Sequence, residues 1–208
     1  GRAVIHPDFV MGRDPLLVAE AIARAKRQGV SEELLSELDG FTGAVGIWDS
    51  GRPGPVTAFR FDIDCVQVGE TSDPAHEANA GGYASQRPNL MHACGHDGHL
   101  AVGLGVAQWI KDHADQLCGK IKLVFQPAEE GTRGAQPMAE SGILDDVDFI
   151  VCTHIGSSVP LHQVAVCTHG YLATTKLDIY FEGVPAHAGA NPEKGRSALM
   201  AACSAAMM

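Results

Sequence analysis

The chain has 208 residues, of which 45% are hydrophobic and 19% are charged, and its formal net charge is -10. This balance is ordinary for a globular protein, and the length suffices for one good-sized core or for one domain and part of another. The negative charge argues against a nucleic-acid partner, which would need a basic surface, and no apolar run reaches membrane-spanning length.

The first predicted element is a helix over residues 14–28. Asp14 can cap this helix, Pro15 suits its first turn and Gly29 follows its end. Strands are predicted over 43–48 and 56–61, joined by the turn-forming residues 50–54. The following stretch, 70–90, is rich in Gly, Ala, Pro, Ser and Asn and is therefore predicted to be a long loop, a feature often associated with function.

Helices and strands alternate in the next part of the chain. A helix is predicted over 98–113, with Leu100, Leu104 and Trp109 as apolar positions, and a shorter helix over 134–141. Short apolar runs predict buried strands over 121–125 and 149–153, and the chain ends within a helical pattern. The alternation predicts an α/β fold, a mostly parallel sheet flanked by helices, and ligands bind such sheets at the carboxyl ends of the strands.

The six cysteines are scattered along the sequence, with none of the close spacing typical of a small secreted domain. This distribution favours reduced thiols and a cytoplasmic location. We expect most of the cysteines to be small core residues. Cys94 differs because of its polar neighbours.

Three polar clusters stand at the ends of predicted elements, at 92–99, 126–131 and 152–154. They contain thiol, imidazole and carboxylate groups: Cys94, His96, Glu129, Glu130 and His154. A hydrolytic metal site needs such ligands, an open position for water and a further base to take the proton of that water.

Each cluster also has a plainer interpretation. A lone Cys-x-His pair is a weak signal, adjacent glutamates often begin a solvated helix, and a single histidine after a strand is more often structural. Their joint occurrence at element ends favours a metal site. Adjacent side chains on a non-helical backbone point apart, so one of Glu129 and Glu130 can bind metal while the other acts as a base. Two roles remain open for His92 and His99. They either support the metal ligands or are simple turn or cap residues.

The motifs at 91–99 and 125–131 resemble the signatures of the metallo-amidohydrolases that include aminoacylases, hippurate hydrolases and auxin-conjugate hydrolases. Residues 60–64 resemble the strand-end aspartate motif of that family, and 183–189 resemble the start of its lid domain. Finer features at 72–74, 131–135, 172–176 and 195–199 resemble the branch that acts on aminobenzoyl-glutamate. The resemblance spans nearly the whole chain.

The resemblance implies a role for each of seven residues. Four are metal ligands: Cys94, His96, Glu130 and His154. Glu129 is implied as the general base, Asp62 as the carboxylate that orients a ligand, and His187 as a lid histidine that stabilises the oxyanion across a dimer. Two departures stand out. Residues 65–67 replace a common Ala-Leu-Pro run, and the last ligating histidine of the family lies beyond this sequence.

The resemblance also implies a domain plan. Residues 1–171 would form a metal-binding catalytic domain without its C-terminal part, and 172–208 the truncated beginning of an inserted α+β lid or dimerisation domain. The implied cofactor is a divalent metal, manganese or zinc, with one or two ions per protomer. The implied partners are a small N-acyl amino acid substrate and a second protomer, identical or related, bound through the lid, with no nucleic acid or membrane.

The implied reaction is metal-assisted hydrolysis of the amide bond of an N-acyl amino acid. The favoured substrate is p-aminobenzoyl-glutamate, which would give p-aminobenzoate and glutamate, and the alternative is a general N-acyl-amino-acid hydrolase. Arg133 and Arg196 are candidate cations for the substrate carboxylates, although the plainer interpretation of either is a surface residue. A non-catalytic metal-binding partner protein is a further alternative, against which the spare carboxylate of Glu129 argues. A redox protein is disfavoured, since the chain has no Cys-x-x-Cys.

Overall fold

A computed structural model of the chain describes residues 14–156, 158–166 and 179–207. Contacts between Cα atoms divide the chain into two compact units, Gly1–Ser158 and Val159–Met208. The domain boundary predicted at 171/172 and the motif at 172–176 lie outside the described residues.

The first unit contains a four-stranded sheet. Its strands are β1 (Ala44–Asp49), β2 (Val56–Asp62), β3 (Lys120–Gln126) and β4 (Phe149–Cys152). The strand order is β1-β3-β2-β4; β2 runs parallel to both β3 and β4, and β1 is antiparallel to β3. The predicted mostly parallel sheet is confirmed, and the carboxyl ends of β2, β3 and β4 meet at one edge.

The helices of this unit are α1 (Pro15–Arg27), α2 (Glu32–Leu38), α3 (Glu77–Gly81), α4 (His96–Asp112) and α5 (Ala135–Glu140). Asp14 caps α1 as predicted, its side chain accepting a hydrogen bond of 2.8 Å from the backbone of Leu16. The short helices α2 and α3 are not predicted from the sequence. Ser31 caps α2, and α3 occupies one turn inside the predicted loop at 70–90.

Helices cover both faces of the sheet. On one face, Ile110 of α4 packs against Phe61, Ile121 and Leu123. On the other face, Met138 of α5 packs against Ala58 and Val124. The burial expected for the strand over 121–125 is therefore present, and it holds β2 and β3 between two helical layers.

The three apolar positions noted in the sequence of α4 are not the ones that approach the sheet. Leu100, Leu104 and Trp109 are partly to largely exposed, and α4 instead approaches the sheet at Gly103. A Cβ at Gly103 would lie 2.5 Å from the ring of Phe125 and 2.9 Å from that of Phe61, so only a glycine permits this approach. The same face buries His96 and His99 at the start of the helix.

Two further expectations about burial are wrong. The strand at 149–153 is predicted to be buried, but Phe149, Ile150 and Val151 are 62%, 52% and 43% exposed. The reason is that β4 lies at the edge of the sheet, where β2 is its strand partner. Most cysteines are also predicted to be in the core, but among the five that the structure describes four are exposed and Cys94 is half-buried.

The second unit is small in its described part. An isolated bridge joins Val184 to Arg196, a 3₁₀ turn covers Pro192–Lys194, and helix α6 (Ala198–Ala206) is capped by the side chain of Ser197. Helix α6 agrees with the helical pattern predicted at the end of the chain. None of the helices in the described ranges is both long and apolar enough to cross a membrane.

Candidate metal centre

Six of the seven predicted site residues converge at the carboxyl edge of the sheet in the first unit. Asp62 ends β2, Glu129 and Glu130 follow β3, His154 follows β4, and Cys94 and His96 stand at the start of α4. The parallel pairing explains this convergence, because Asp62 lies opposite Gln126 of β3, and Arg60 lies opposite Cys152 of β4. His187 belongs to the second unit.

The four predicted ligands offer sulfur, nitrogen and oxygen atoms close together. Ligand atoms of Cys94, His96 and Glu130 all lie within 4.8 Å of one another. The Nε2 atom of His154 lies 3.4 Å from the Sγ atom of Cys94. Distances of this size allow one ion to be shared by several of these side chains.

The two nitrogens of His96 have different surroundings. Its Nδ1 atom is 3.0 Å from the carbonyl oxygen of Asp64 and 3.2 Å from the Oδ1 atom of the same residue, so Nδ1 carries the proton. The Nε2 atom is buried and has no hydrogen-bond partner among the described residues. A buried lone pair without a partner is costly unless a cation binds it, so these residues fit a metal ion.

Glu129 and Glu130 both face this nitrogen. The Oε2 atom of Glu129 and the Oε1 atom of Glu130 each lie 3.8 Å from His96 Nε2. Their turn contains two residues in the left-handed region, Ala128 and Thr132, each with φ of 53°, which is uncommon for residues other than glycine. Both carboxylates are about one-third exposed, at 36% and 32%, so solvent reaches the site from their side.

Asp62 is fully buried and makes two short contacts. Its Oδ2 atom accepts a hydrogen bond of 2.6 Å from Arg60, and its Oδ1 atom accepts one from Nδ1 of His99. Burial raises the pKa of Asp62, but the hydrogen bond from His99 and the charge of Arg60 together outweigh it and leave the pKa below its usual value. Asp62 therefore faces both buried histidines, since its Oδ1 atom also lies 3.8 Å from Nε2 of His96.

His99 connects two strand ends. Its Nδ1 atom faces Asp62, and its Nε2 atom accepts a hydrogen bond of 2.8 Å from the backbone N–H of Ile155. Both ring nitrogens thus have partners within the chain, which is the arrangement expected of a residue that supports metal ligands. His92, the other histidine left open by the sequence, is exposed, and its carbonyl accepts from Gly95 in a turn.

Asp64 is a site residue that the sequence reasoning does not single out. Its Oδ1 atom lies 3.2 Å from His96 Nδ1, and its Oδ2 atom accepts a hydrogen bond of 3.0 Å from the backbone N–H of Glu130. One carboxylate therefore links the two segments that carry His96 and Glu130. The sequence signal for Asp64 is its spacing from Asp62, since alternate residues of an extended chain face the same side.

The Cys94 thiol is strongly perturbed in the metal-free protein. Burial, then the hydrogen bond with Glu130 and the negative charges of Glu130 and Glu129, raise the pKa of Cys94 to about 11. The thiol therefore holds its proton at neutral pH, and a binding cation must displace it.

His187 has a defined tautomer within the second unit. Its Nδ1 atom accepts hydrogen bonds from the backbone N–H groups of Gly189, at 3.2 Å, and Ala190, at 3.1 Å. The neutral ring therefore carries its proton on Nε2, which makes that atom a hydrogen-bond donor. A donor is the group that an oxyanion requires.

Residues 58–207 match the family model described as peptidase family M20/M25/M40. This chain belongs to that family. It is 50% identical over 202 residues to a homolog of a p-aminobenzoyl-glutamate hydrolase subunit from Haemophilus influenzae, covering 97% of this chain and 48% of that protein. It is also 50% identical to the indole-3-acetyl-aspartic acid hydrolase of Enterobacter agglomerans, covering 100% and 48% of the two chains.

A solved structure is similar to this chain in both sequence and fold. The crystal structure of an aminobenzoyl-glutamate utilization protein from Klebsiella pneumoniae is 39% identical, with a TM-score of 0.68, and the match covers 100% of this chain and 46% of that one. The chain thus spans about half the length of the relatives it matches.

Proposed function

We propose that the protein carrying this chain is a metal-dependent amidohydrolase that cleaves the amide bond of N-acyl amino acids. The observation that carries the proposal is the buried Nε2 atom of His96, which faces Cys94, Glu129 and Glu130 and has no hydrogen-bond partner among the described residues. The M20 family membership supports the same chemistry.

The proposed ligands are those predicted from the sequence: Cys94, His96, Glu130 and His154. They would hold one or two divalent ions, and the mixed donor set is compatible with zinc or manganese. A bound ion would supply Lewis-acid chemistry, lowering the pKa of a water toward about 7 and polarising the amide carbonyl.

Glu129 is the proposed general base. Its carboxylate is 3.8 Å from His96 Nε2 and partly open to solvent, so it can reach a water on the open side of the site. Glu129 would take the proton of that water and pass it to the nitrogen of the leaving amine. His187 of one protomer would donate from Nε2 to the oxyanion in the other protomer, and one such donor is typically worth roughly 3–4 kcal/mol.

The proposed substrate class is an N-acyl derivative of an acidic amino acid, with p-aminobenzoyl-glutamate as the best candidate. The names of the two relatives at 50% identity support this class, because one contains glutamate and the other aspartic acid, whereas their acyl groups differ. A general N-acyl-amino-acid hydrolase is the second candidate, since the same catalytic groups would serve it equally well.

We also propose a dimeric assembly and a cytoplasmic location. The name of the relative from Haemophilus influenzae describes one subunit of a hydrolase, which supports a homodimer or a heterodimer with a related chain. The predicted lid at 172–208 is the proposed contact. The five described cysteines are free, which agrees with a reducing compartment.

The test is a hydrolysis screen of the full-length protein loaded with manganese or zinc. Values of kcat/KM are compared for p-aminobenzoyl-glutamate and for N-acetyl and N-benzoyl derivatives of apolar amino acids. The proposal expects p-aminobenzoyl-glutamate to be preferred. A preference for the apolar series would overturn the substrate and favour the general hydrolase, and metal binding without any hydrolysis would favour a non-catalytic partner protein.

A further inference from the structure

We propose that Arg133 binds the side-chain carboxylate of the acidic amino acid and so sets the selectivity of the enzyme at the amino-acid end of its substrate. This inference rests on the proposed function, which supplies the substrate class but names no residue that recognises it.

An open cavity adjoins the metal centre in the first unit. It has a volume of about 770 Å³ and lies between the segment after β2, residues 63–67, and the turn at 127–133. Asp64 and Glu130 line it, and both belong to the centre. Thr42 and Gln67 add polar groups, and Arg133 is the only cationic side chain among the described residues that line the cavity.

The position of Arg133 is fixed by the turn that carries the two glutamates. Its backbone N–H donates a hydrogen bond of 3.1 Å to the carbonyl of Ala128. Its side chain lies back over Gly131, since a Cβ at Gly131 would be 3.0 Å from the Cδ and Nε atoms of Arg133. Arg133 therefore belongs to the same short turn as the proposed base, Glu129.

A cation of this kind near the metal centre would favour the binding of an acidic substrate. The chain carries a net charge of -10, so its overall field does not attract a substrate with two carboxylates. The planar guanidinium of an arginine such as Arg133 can pair two N–H donors with one carboxylate, a geometry that lysine does not provide.

The proposed contact with Arg133 does not involve the acyl group of the substrate. A guanidinium that reads the side chain of glutamate or aspartate leaves the acyl end free to vary. The inference therefore gives a structural reason why N-acyl glutamates and N-acyl aspartates with different acyl groups would share one substrate class.

The test compares p-aminobenzoyl-glutamate with p-aminobenzoyl-glutamine, an analogue of nearly equal shape in which only the side-chain carboxylate is replaced by a neutral amide. In the full-length, metal-loaded protein, Arg133→Gln should lower kcat/KM for the glutamate compound by at least roughly tenfold, mainly through KM, because a charged hydrogen bond is lost. For the glutamine compound, kcat/KM of Arg133→Gln should stay within about twofold of the value for the unaltered protein. Arg133→Lys should recover part of the loss in kcat/KM for the glutamate compound. Arg27→Gln, which removes the same charge from α1, should change neither value.

Two results would overturn the inference: an equal loss on both substrates, or no loss on either. If the unaltered protein hydrolyses neither compound, the proposed function fails, and the inference is then decided by binding. Calorimetry of p-aminobenzoyl-glutamate with the metal-loaded protein should give an affinity at least roughly tenfold weaker for Arg133→Gln. The same affinity in both proteins would overturn the role of Arg133 independently of catalysis.

Discussion

His99 is the side chain that joins the end of β2 to the segment carrying His154. It donates to the buried carboxylate of Asp62 and accepts from the backbone of Ile155. We predict that His99→Ala lowers metal affinity by roughly 10- to 100-fold, because partners that support the ligands contribute that much in comparable sites. Competition with a chelator measures the affinity.

The matched control for this prediction is His92→Ala, because His92 is exposed in the same motif. It should leave the affinity unchanged. Equal affinities for the unaltered protein and for His99→Ala would contradict the supporting role of His99.

We predict that Cys94 makes metal binding depend on pH. Its pKa of about 11 in the metal-free protein means that the thiol is protonated throughout the neutral range. Binding should therefore release this proton, and this group alone should raise the apparent affinity by up to about tenfold per pH unit as pH rises toward 11. Calorimetry in buffers with different ionisation enthalpies counts the protons released.

Cys94→Ser removes the thiol and should release fewer protons at pH 7, with weaker binding. An identical proton count for the two proteins would show that the sulfur of Cys94 does not bind the ion.

At the scale of elements, the turn between β3 and α5 holds both glutamates in place, and Gly134 closes it. A Cβ at Gly134 would lie 1.6 Å from the carbonyl oxygen of Pro127, so any larger residue must displace the backbone. We predict that Gly134→Ala lowers the free energy of unfolding by about 1–3 kcal/mol or more, as overpacking does. Denaturant titration measures the change.

Gly105→Ala is the control, since a Cβ at this position in α4 would meet nothing within 4 Å. It should leave stability unchanged or raise it slightly, because alanine favours a helix. A Gly134→Ala protein as stable as the Gly105→Ala protein would contradict the described turn.

The elements themselves were largely predictable from the sequence. The run 121–125 gives a buried strand because it is apolar and lies in the middle of the sheet. The run 149–153 also gives a strand, but an apolar pattern does not reveal what covers it, so its exposure could not be predicted. The face of α4 was missed for a related reason, since close approach at Gly103 leaves no hydrophobic signal.

The candidate site was also only partly predictable from the sequence. The convergence of the clusters followed from strand ends that share one edge of a parallel sheet. The pairing of His96 with Asp64, and of His99 with Asp62, could not be predicted, because it depends on how α4 packs beside β2. Local sequence patterns do not encode contacts between side chains that lie far apart in the chain.

At the scale of the whole molecule, this chain spans about half the length of the relatives it matches. The first unit carries the proposed ligands and the proposed base, and the second carries the proposed oxyanion donor. Apolar side chains of β4 are exposed among the described residues, so the hydrophobic layers described for the first unit do not extend over this strand. Because the chain spans only about half of these relatives, its activity, substrate and partner are properties to be tested in the full-length protein.

The most direct test of the central claim separates metal binding from proton transfer in the full-length protein. Glu129→Gln is compared with the unaltered protein for metal content and for kcat on p-aminobenzoyl-glutamate, with Glu140→Gln of α5 as the control. We predict that Glu129→Gln retains its metal while kcat falls by roughly 10²- to 10⁴-fold, because only the base is removed. Normal turnover by the Glu129→Gln protein would contradict the assignment of Glu129 as the general base.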